Sequence, residues 1–314
     1  MTKRPLTLVF AILVGISPAG AAWAGGDALD PAKLRLASAN VVVYDTAAQR
    51  RLYSKAADDV TPIASLTKLM TAIVVFDAKQ PMDEMLEIDT DDFDFLKGSR
   101  SRLRMGSALS RREMLRLALM SSENRAASSL ARHYPGGATA AVAAMNRKAM
   151  ALGMTRTHYA DPTGLSADNV SSANDLAKLV QTAAQYPTIR EYSTTPAHFV
   201  EIHPTGHMLG FNNSNALVKN TTWDIQLQKT GYIREAGRCL VMLANIASRP
   251  LVIVLLDSNG KFTRLGDAQR IKHWIETGEG SALPAGGSRY NGVFPPRGKH
   301  AVKVAAPSNR ARRV

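Results

Sequence analysis

The feature that most constrains this chain is where its two hydrophobic periods lie: strand-like segments stand at both ends, and helical segments fill the middle. Ser38 to Asp45 (SANVVVYD) and Arg51 to Lys55 (RLYSK) read as two strands around a polar turn. Trp223 to Leu227, Leu240 to Ile246 and Leu251 to Asp257 read as strands, the last two joined through Ala247-Ser248-Arg249-Pro250 as a hairpin. Thr263 to Thr277, carrying Trp274 and stopped by Gly278, reads as a closing helix. Between these ends, helices are predicted over Ala64 to Lys79 with Thr61-Pro62 as the start, and over 109–134 with an interruption near Ser121-Ser122. Two more are predicted over Ala138 to Gly153 and from Ser172, where Asp175 three residues on resembles a capping box. The pattern predicts an α/β fold, an antiparallel sheet built from the two ends of the chain, flanked by helices, with an inserted helical subdomain.

The termini carry different information. Lys3 and Arg4, an apolar run from Leu6 to Ile16 and small residues ending at Ala22-Trp23-Ala24 form the three-part pattern of a secretory signal, residues 1–24. A retained anchor would need about 20 apolar residues, and this run is shorter and broken by Pro18. The folded domain is expected over 25–278. Residues 279–314, rich in Gly, Pro and basic side chains, read as a flexible basic tail of net charge +6.

The chain as a whole carries +13, which raises nucleic acid as a partner. The distribution argues against it, because the signal and the tail hold most of the excess and the body keeps only +5. An exported basic protein meets an anionic envelope polymer or membrane surface instead, and the tail is where such peripheral contact is expected. Cys239 is the only cysteine and sits in an apolar run, so no intrachain disulfide supports the fold and a buried packing role is expected for it.

Three short motifs carry the chemistry. Ser65-Leu66-Thr67-Lys68 places a lysine three residues after a serine at a helix start, on one helical face. A neutral amine there can take the proton of the serine hydroxyl, and the helix N-terminus favours the developing negative charge. Alone this pattern is weak, since a chain of this length meets it about once by chance. Ser122-Glu123-Asn124 supplies S-x-N in a helical region, and Lys229-Thr230-Gly231 supplies K-T-G where a strand is expected. All three in this order, each in suitable local structure, form a specific constellation.

On these motifs, and on Pro162-Thr163-Gly164-Leu165-Ser166 and the segment from Gly231 to Leu243, the chain resembles the serine penicillin-binding peptidases, a family shared with the serine β-lactamases. The resemblance runs from about Val41 to Gly278 and looks closest to the low-molecular-mass D-alanyl-D-alanine endopeptidases of that family. It implies that Ser65 attacks a D-alanyl carbonyl in peptidoglycan cross-links, with Lys68 as general base. Ser122 would relay a proton to the leaving amine, while Asn124 would orient Lys68 and hold the substrate amide. Lys229 and Thr230 would bind the substrate carboxylate, Gly231 would leave room for a substrate strand, and the amides of Ser65 and Tyr232 would form the oxyanion hole. β-Lactam antibiotics would acylate the same serine, and the periplasm is the implied compartment.

Other readings are set against this one. A class A β-lactamase holds a glutamate that activates the deacylating water, whereas the segment after Asp161 offers Ser166, Asp168 and Asn169 and no glutamate. A metallopeptidase would need a zinc motif, but His203 and His207 are separated by Pro204 and Gly206 and no H-E-x-x-H occurs, so neither a metal nor another cofactor is expected. A wall-binding protein without turnover would not need Ser65, Lys68, Asn124 and Lys229 together. Carboxypeptidase and endopeptidase activity differ only in the leaving amine, and the shortness of the chain after Gly278 favours the endopeptidase.

Overall fold

The computed structural model describes residues 29–95 and 97–283, so the expected signal and the chain beyond 283 lie outside the described residues. The opening hairpin is β1 (Asn40–Asp45) and β2 (Arg50–Lys55), and a two-residue strand, β3 (Thr61–Pro62), leads to a 3-10 turn over Ala64–Thr67 that continues as α1 (Lys68–Asp77). β4 (Met85–Glu87) and β5 (Ala108–Ser110) pair across a long loop and are followed by α2 (Arg111–Met120), α3 (Asn124–Arg132) and α4 (Gly137–Ala151). β6 (Val170–Ser171) pairs with β3, and α5 (Ala173–Ala183), α6 (Pro187–Thr194) and a hairpin of β7 (Ala197–Ile202) and β8 (His207–Asn212) follow. β9 (Asp224–Ile233), β10 (Gly237–Ile246), β11 (Arg249–Ser258) and α7 (Thr263–Thr277) complete the chain.

The main sheet has the order β2-β1-β11-β10-β9, every neighbour antiparallel, so the first strand lies against the last. Its inner strands are apolar on both faces because both are covered. Val252, Val254 and Leu256 of β11 point into the helical core, while Leu251, Ile253 and Leu255 point toward α7. α7 answers with Ala268, Ile271, Trp274 and Ile275, a stripe at helical spacing. On the other face α1 is buried from Lys68 to Val75, the mark of a helix enclosed all round, and it packs against α2, α3, α4 and α5. A buried polar tie joins the N-terminal segment to α7: Asp267 accepts from the Ala37 and Ser38 amides and the Ser38 hydroxyl, and also pairs with Arg270.

The two-ended sheet with an inserted helical part is as expected, and several local expectations change. Thr61-Pro62 is a strand, because its backbone pairs with Val170-Ser171 instead of opening the helix. The β10–β11 turn is only Ala247-Ser248, both at positive φ, so β11 begins at Arg249. Such two-residue turns favour Asn-Gly, which is why this pair gave no sequence signal for its length. Ser172 does cap α5 by accepting from the Asp175 amide at 3.2 Å. Asp175 does not return the bond, since its carboxylate accepts from the Arg156 amide and the Thr157 hydroxyl. Just past Gly278, Glu279 pairs with Lys33 at 2.9 Å and Gly280 lies against the Lys33 carbonyl. Cys239 is fully buried and burial pushes its thiol up to about 12, in keeping with a packing role. Among the described residues no helix is long and apolar enough to cross a membrane.

Candidate active site

Ser65 stands on the 3-10 turn and Lys68 is the first residue of α1, so the three-residue spacing brings the amine to the hydroxyl at 2.8 Å. Lys68 is 1% exposed. Its Nζ also donates to Asn124 Oδ1 at 2.7 Å and to the Thr163 carbonyl at 2.6 Å. Burial lowers its pKa from the ordinary lysine value to about 7, against the opposing pull of the Asp161 and Glu123 carboxylates. The amine is therefore divided between its two protonation states near neutral pH and can exchange a proton with Ser65.

The other groups come from breaks and edges. α2 ends at Ser121, whose hydroxyl donates back to the Leu117 carbonyl, and Ser122 then takes a left-handed φ of 63° before Glu123 caps α3. This break turns Ser122 toward the sheet, where Lys229 Nζ donates to its hydroxyl at 2.7 Å. Lys229 is fully buried on β9, and burial, reinforced by the charges of Lys68 and Arg264, holds it well below the ordinary lysine range. An incoming carboxylate would reverse that shift. The Thr230 hydroxyl donates to Ser214, and Asn124 Nδ2 donates to Ser99 Oγ at 2.9 Å, leaving its second N–H for another acceptor.

Two glycines grip the nucleophile's peptide. A Cβ at Gly164, itself at φ 81°, would stand 2.0 Å from the Ala64 carbonyl oxygen and 2.8 Å from the Ser65 nitrogen. A Cβ at Gly231 would stand 2.9 Å from the Ile63 carbonyl oxygen and 3.2 Å from the Ser65 nitrogen. Gly231 thus lets β9 close on the Ser65 turn, a nearer constraint than the expected room for a substrate strand. It also brings the Ser65 amide beside the strand that carries Tyr232, whose side chain is exposed under the guanidinium of Arg238. Between the glycines Ala64 holds a φ of 48°, a strained conformation for a residue with a side chain.

The structure therefore unites Ser65, Lys68, Ser122, Asn124, Lys229, Thr230 and Gly231, with Tyr232 the next residue on β9, and adds three contributors that sequence reasoning missed. Thr163 contributes through its carbonyl, and Asp161 shapes its loop by accepting from the amides of Thr163, Gly164 and Ser166. Arg264, in the first turn of α7, is 8% exposed with Nε and Nη1 meeting no acceptor, and its charge acts on Lys229. No motif marks Arg264, because only the packing of α7 on β10 and β11 brings its charge within reach of Lys229 on the neighbouring strand.

A buried lysine against a helix-borne serine, facing a second lysine on a sheet edge, defines an active-site-serine acyl-transfer enzyme. Residues 27–260 match the D-alanyl-D-alanine carboxypeptidase family of peptidases, and the chain belongs to that family. It is 49% identical to a D-alanyl-D-alanine endopeptidase of Pseudomonas aeruginosa over 92% of this chain and 94% of that one. It is 48% identical to the D-alanyl-D-alanine endopeptidase of Escherichia coli over 81% and 82%. Among solved structures it is similar to the Streptomyces K15 DD-transpeptidase, with 27% identity and a TM-score of 0.72 over 77% of this chain and 98% of that one.

Two outcomes follow. Gly164→Ala forces the Ala64-Ser65 peptide to move, so it is expected to lower stability by about 2 kcal/mol and slow penicillin acylation at least about tenfold, read by thermal unfolding and labelled-penicillin kinetics. Because the reactive form needs a neutral Lys68, the acylation rate constant should rise with pH to an inflection near 7 and fall about tenfold per unit well below it. A rate independent of pH between 5 and 9 would exclude Lys68 as the base.

Proposed function

We propose that this protein is a serine D-alanyl-D-alanine endopeptidase that hydrolyses peptidoglycan cross-links through an acyl-enzyme on Ser65. The single observation that carries the mechanism is the buried Lys68 amine 2.8 Å from Ser65 Oγ, with its pKa brought to about 7. Neutral Lys68 takes the hydroxyl proton as Oγ attacks the carbonyl of the penultimate D-alanine. The amides of Ser65 and Tyr232 stabilise the oxyanion. Ser122, bonded to Lys229, passes its hydroxyl proton to the leaving amine and is reprotonated at the expense of Lys68, which returns to its neutral form, while Lys229, Thr230 and Arg264 hold the carboxylate beyond the cleaved bond. Water then hydrolyses the ester with Lys68 again as base.

β-Lactams present a carboxylate and a reactive carbonyl in the same relation, and a penicillin-binding protein of Listeria monocytogenes similar to this chain is described in its cefotaxime-bound form, with 28% identity and a TM-score of 0.67. Stable acylation of Ser65 is expected, since Asp161, the carboxylate of the nearby turn, is already engaged by three backbone amides and the Thr163 hydroxyl. The endopeptidase reading is preferred to the carboxypeptidase reading on the strength of the two relatives nearly half identical to this chain.

Ser65→Ala should abolish penicillin labelling of a folded protein. Lys229→Ala should slow acylation by penicillin and by peptide about a hundredfold, while Lys299→Ala, outside the described residues, should not. Digestion of purified cross-linked peptidoglycan should release uncross-linked monomers; release of free D-alanine alone would make the enzyme a carboxypeptidase.

We further propose export to the periplasm, supported by the signal pattern of residues 1–24, and a peripheral contact of the basic C-terminal segment with wall polymer or membrane surface. Deleting residues 284–314 should leave Ser65 acylation unchanged and weaken sedimentation with isolated walls or anionic vesicles at low salt. Equal sedimentation of both forms across a salt series would refute the contact.

A further inference from the structure

A cavity of about 780 Å3 opens between the β9–β10 turn, the C-terminal end of β11 and the first turns of α7. Three of its lining residues are close chain neighbours of site residues. Tyr232, two residues past Thr230, lines it, and so do Thr263 and Leu265 on either side of Arg264. Four cationic side chains wall it, Arg234, Arg238, Lys261 and Arg270, against one carboxylate, Asp257. Arg270 is 8% exposed and anchored by Asp267 on the same helix, so one of these charges is rigidly placed. Tyr232 and Phe262 are 56% and 65% exposed, with Arg238 lying 4.5 Å and Lys261 5.2 Å from their ring centres.

A concave site with an excess of positive charge and two aromatic faces suits a peptide that carries carboxylates on an aliphatic framework. The reaction supplies such a group. A carboxypeptidase expels free D-alanine, whose carboxylate would already be held by Lys229, Thr230 and Arg264. An endopeptidase expels an amine that belongs to a diamino acid in a second peptide, and that peptide, with its own carboxylates, must run on past Arg264. We propose that this cavity is a leaving-side subsite that binds carboxylates of the second peptide of the cross-link. It is a specificity device for cross-linked over uncross-linked substrate and stands apart from the acylation machinery. The inference rests on the endopeptidase reading.

The test is an Arg234→Gln, Lys261→Gln double variant, because both side chains are exposed and neither touches the groups that acylate. It should raise KM for a cross-linked muropeptide dimer about fivefold to tenfold, the scale of two exposed charge contacts, with kcat little changed. Cleavage of an uncross-linked pentapeptide ending in D-Ala-D-Ala, and acylation by penicillin, should match the wild type. Wild-type enzyme given a dimer whose second peptide is amidated at every carboxylate except the one that Lys229, Thr230 and Arg264 would hold should show the same rise in KM. Equal losses on dimer and pentapeptide, or an unchanged KM for the dimer, would overturn the subsite. Unchanged dimer kinetics with weaker binding to anionic vesicles would make the cavity a surface-docking patch and overturn it too. Wild-type enzyme that cuts the pentapeptide and leaves the dimer intact would remove the endopeptidase reading itself, and the subsite with it.

Discussion

The rest of the site depends on a lysine that the fold has taken out of water. Burying an ammonium group is costly unless acceptors replace its hydration, and Lys68 meets three: Ser65, Asn124 and the Thr163 carbonyl. Each acceptor belongs to a different segment, so the lysine is also the point where the Ser65 turn, the start of α3 and the loop after α4 are held in register. The acceptors and the carboxylates of Asp161 and Glu123 favour the charge while burial opposes it. The balance near pH 7 is what makes the amine useful as a base, and a wetter site would leave it permanently protonated.

Strain gathers around the same residue. Ala64 and Ser122, one before the nucleophile and one before the α3 cap, both hold left-handed backbone. Each departs from an ordinary helix start to aim a hydroxyl into the cleft. Gly164 and Gly231 press on the Ala64-Ser65 peptide from the loop and from the sheet, so the strained turn has little room to relax. Aligned groups that need no rearrangement during reaction are what stabilise an oxyanion most effectively.

Much of this was legible in the sequence because its causes are local. Helix periods, the three motifs and the stop at Gly278 depend on residues within a few positions of one another, and α7 occupies the expected Thr263–Thr277. That both ends of the chain share one antiparallel sheet followed from the strands at both ends; the order of those strands did not. What could not be read depends on distant packing. Arg264 matters only because α7 packs on β10 and β11 and so brings its charge near Lys229, and the space at Gly231 is bounded by Ile63, Ala64 and Ser65, more than 160 residues earlier. The Ser122–Lys229 contact joins two motifs whose separate roles suggested no bond between them. The β7–β8 hairpin, half exposed with an irregular pattern, carried no clean alternation.

The pairing of β1 with β11 has a consequence for timing. A ribosome delivers the first strand of the central sheet early, and its partner arrives more than 200 residues later. Ser65 and Lys68 are likewise made long before Lys229. Until the last hairpin docks, the helical segments have no sheet to close against, and Lys68 has no enclosed interior to lower its proton affinity. By topology alone the site cannot be complete before that hairpin docks. The chain's activity switches on in the same event that completes its sheet.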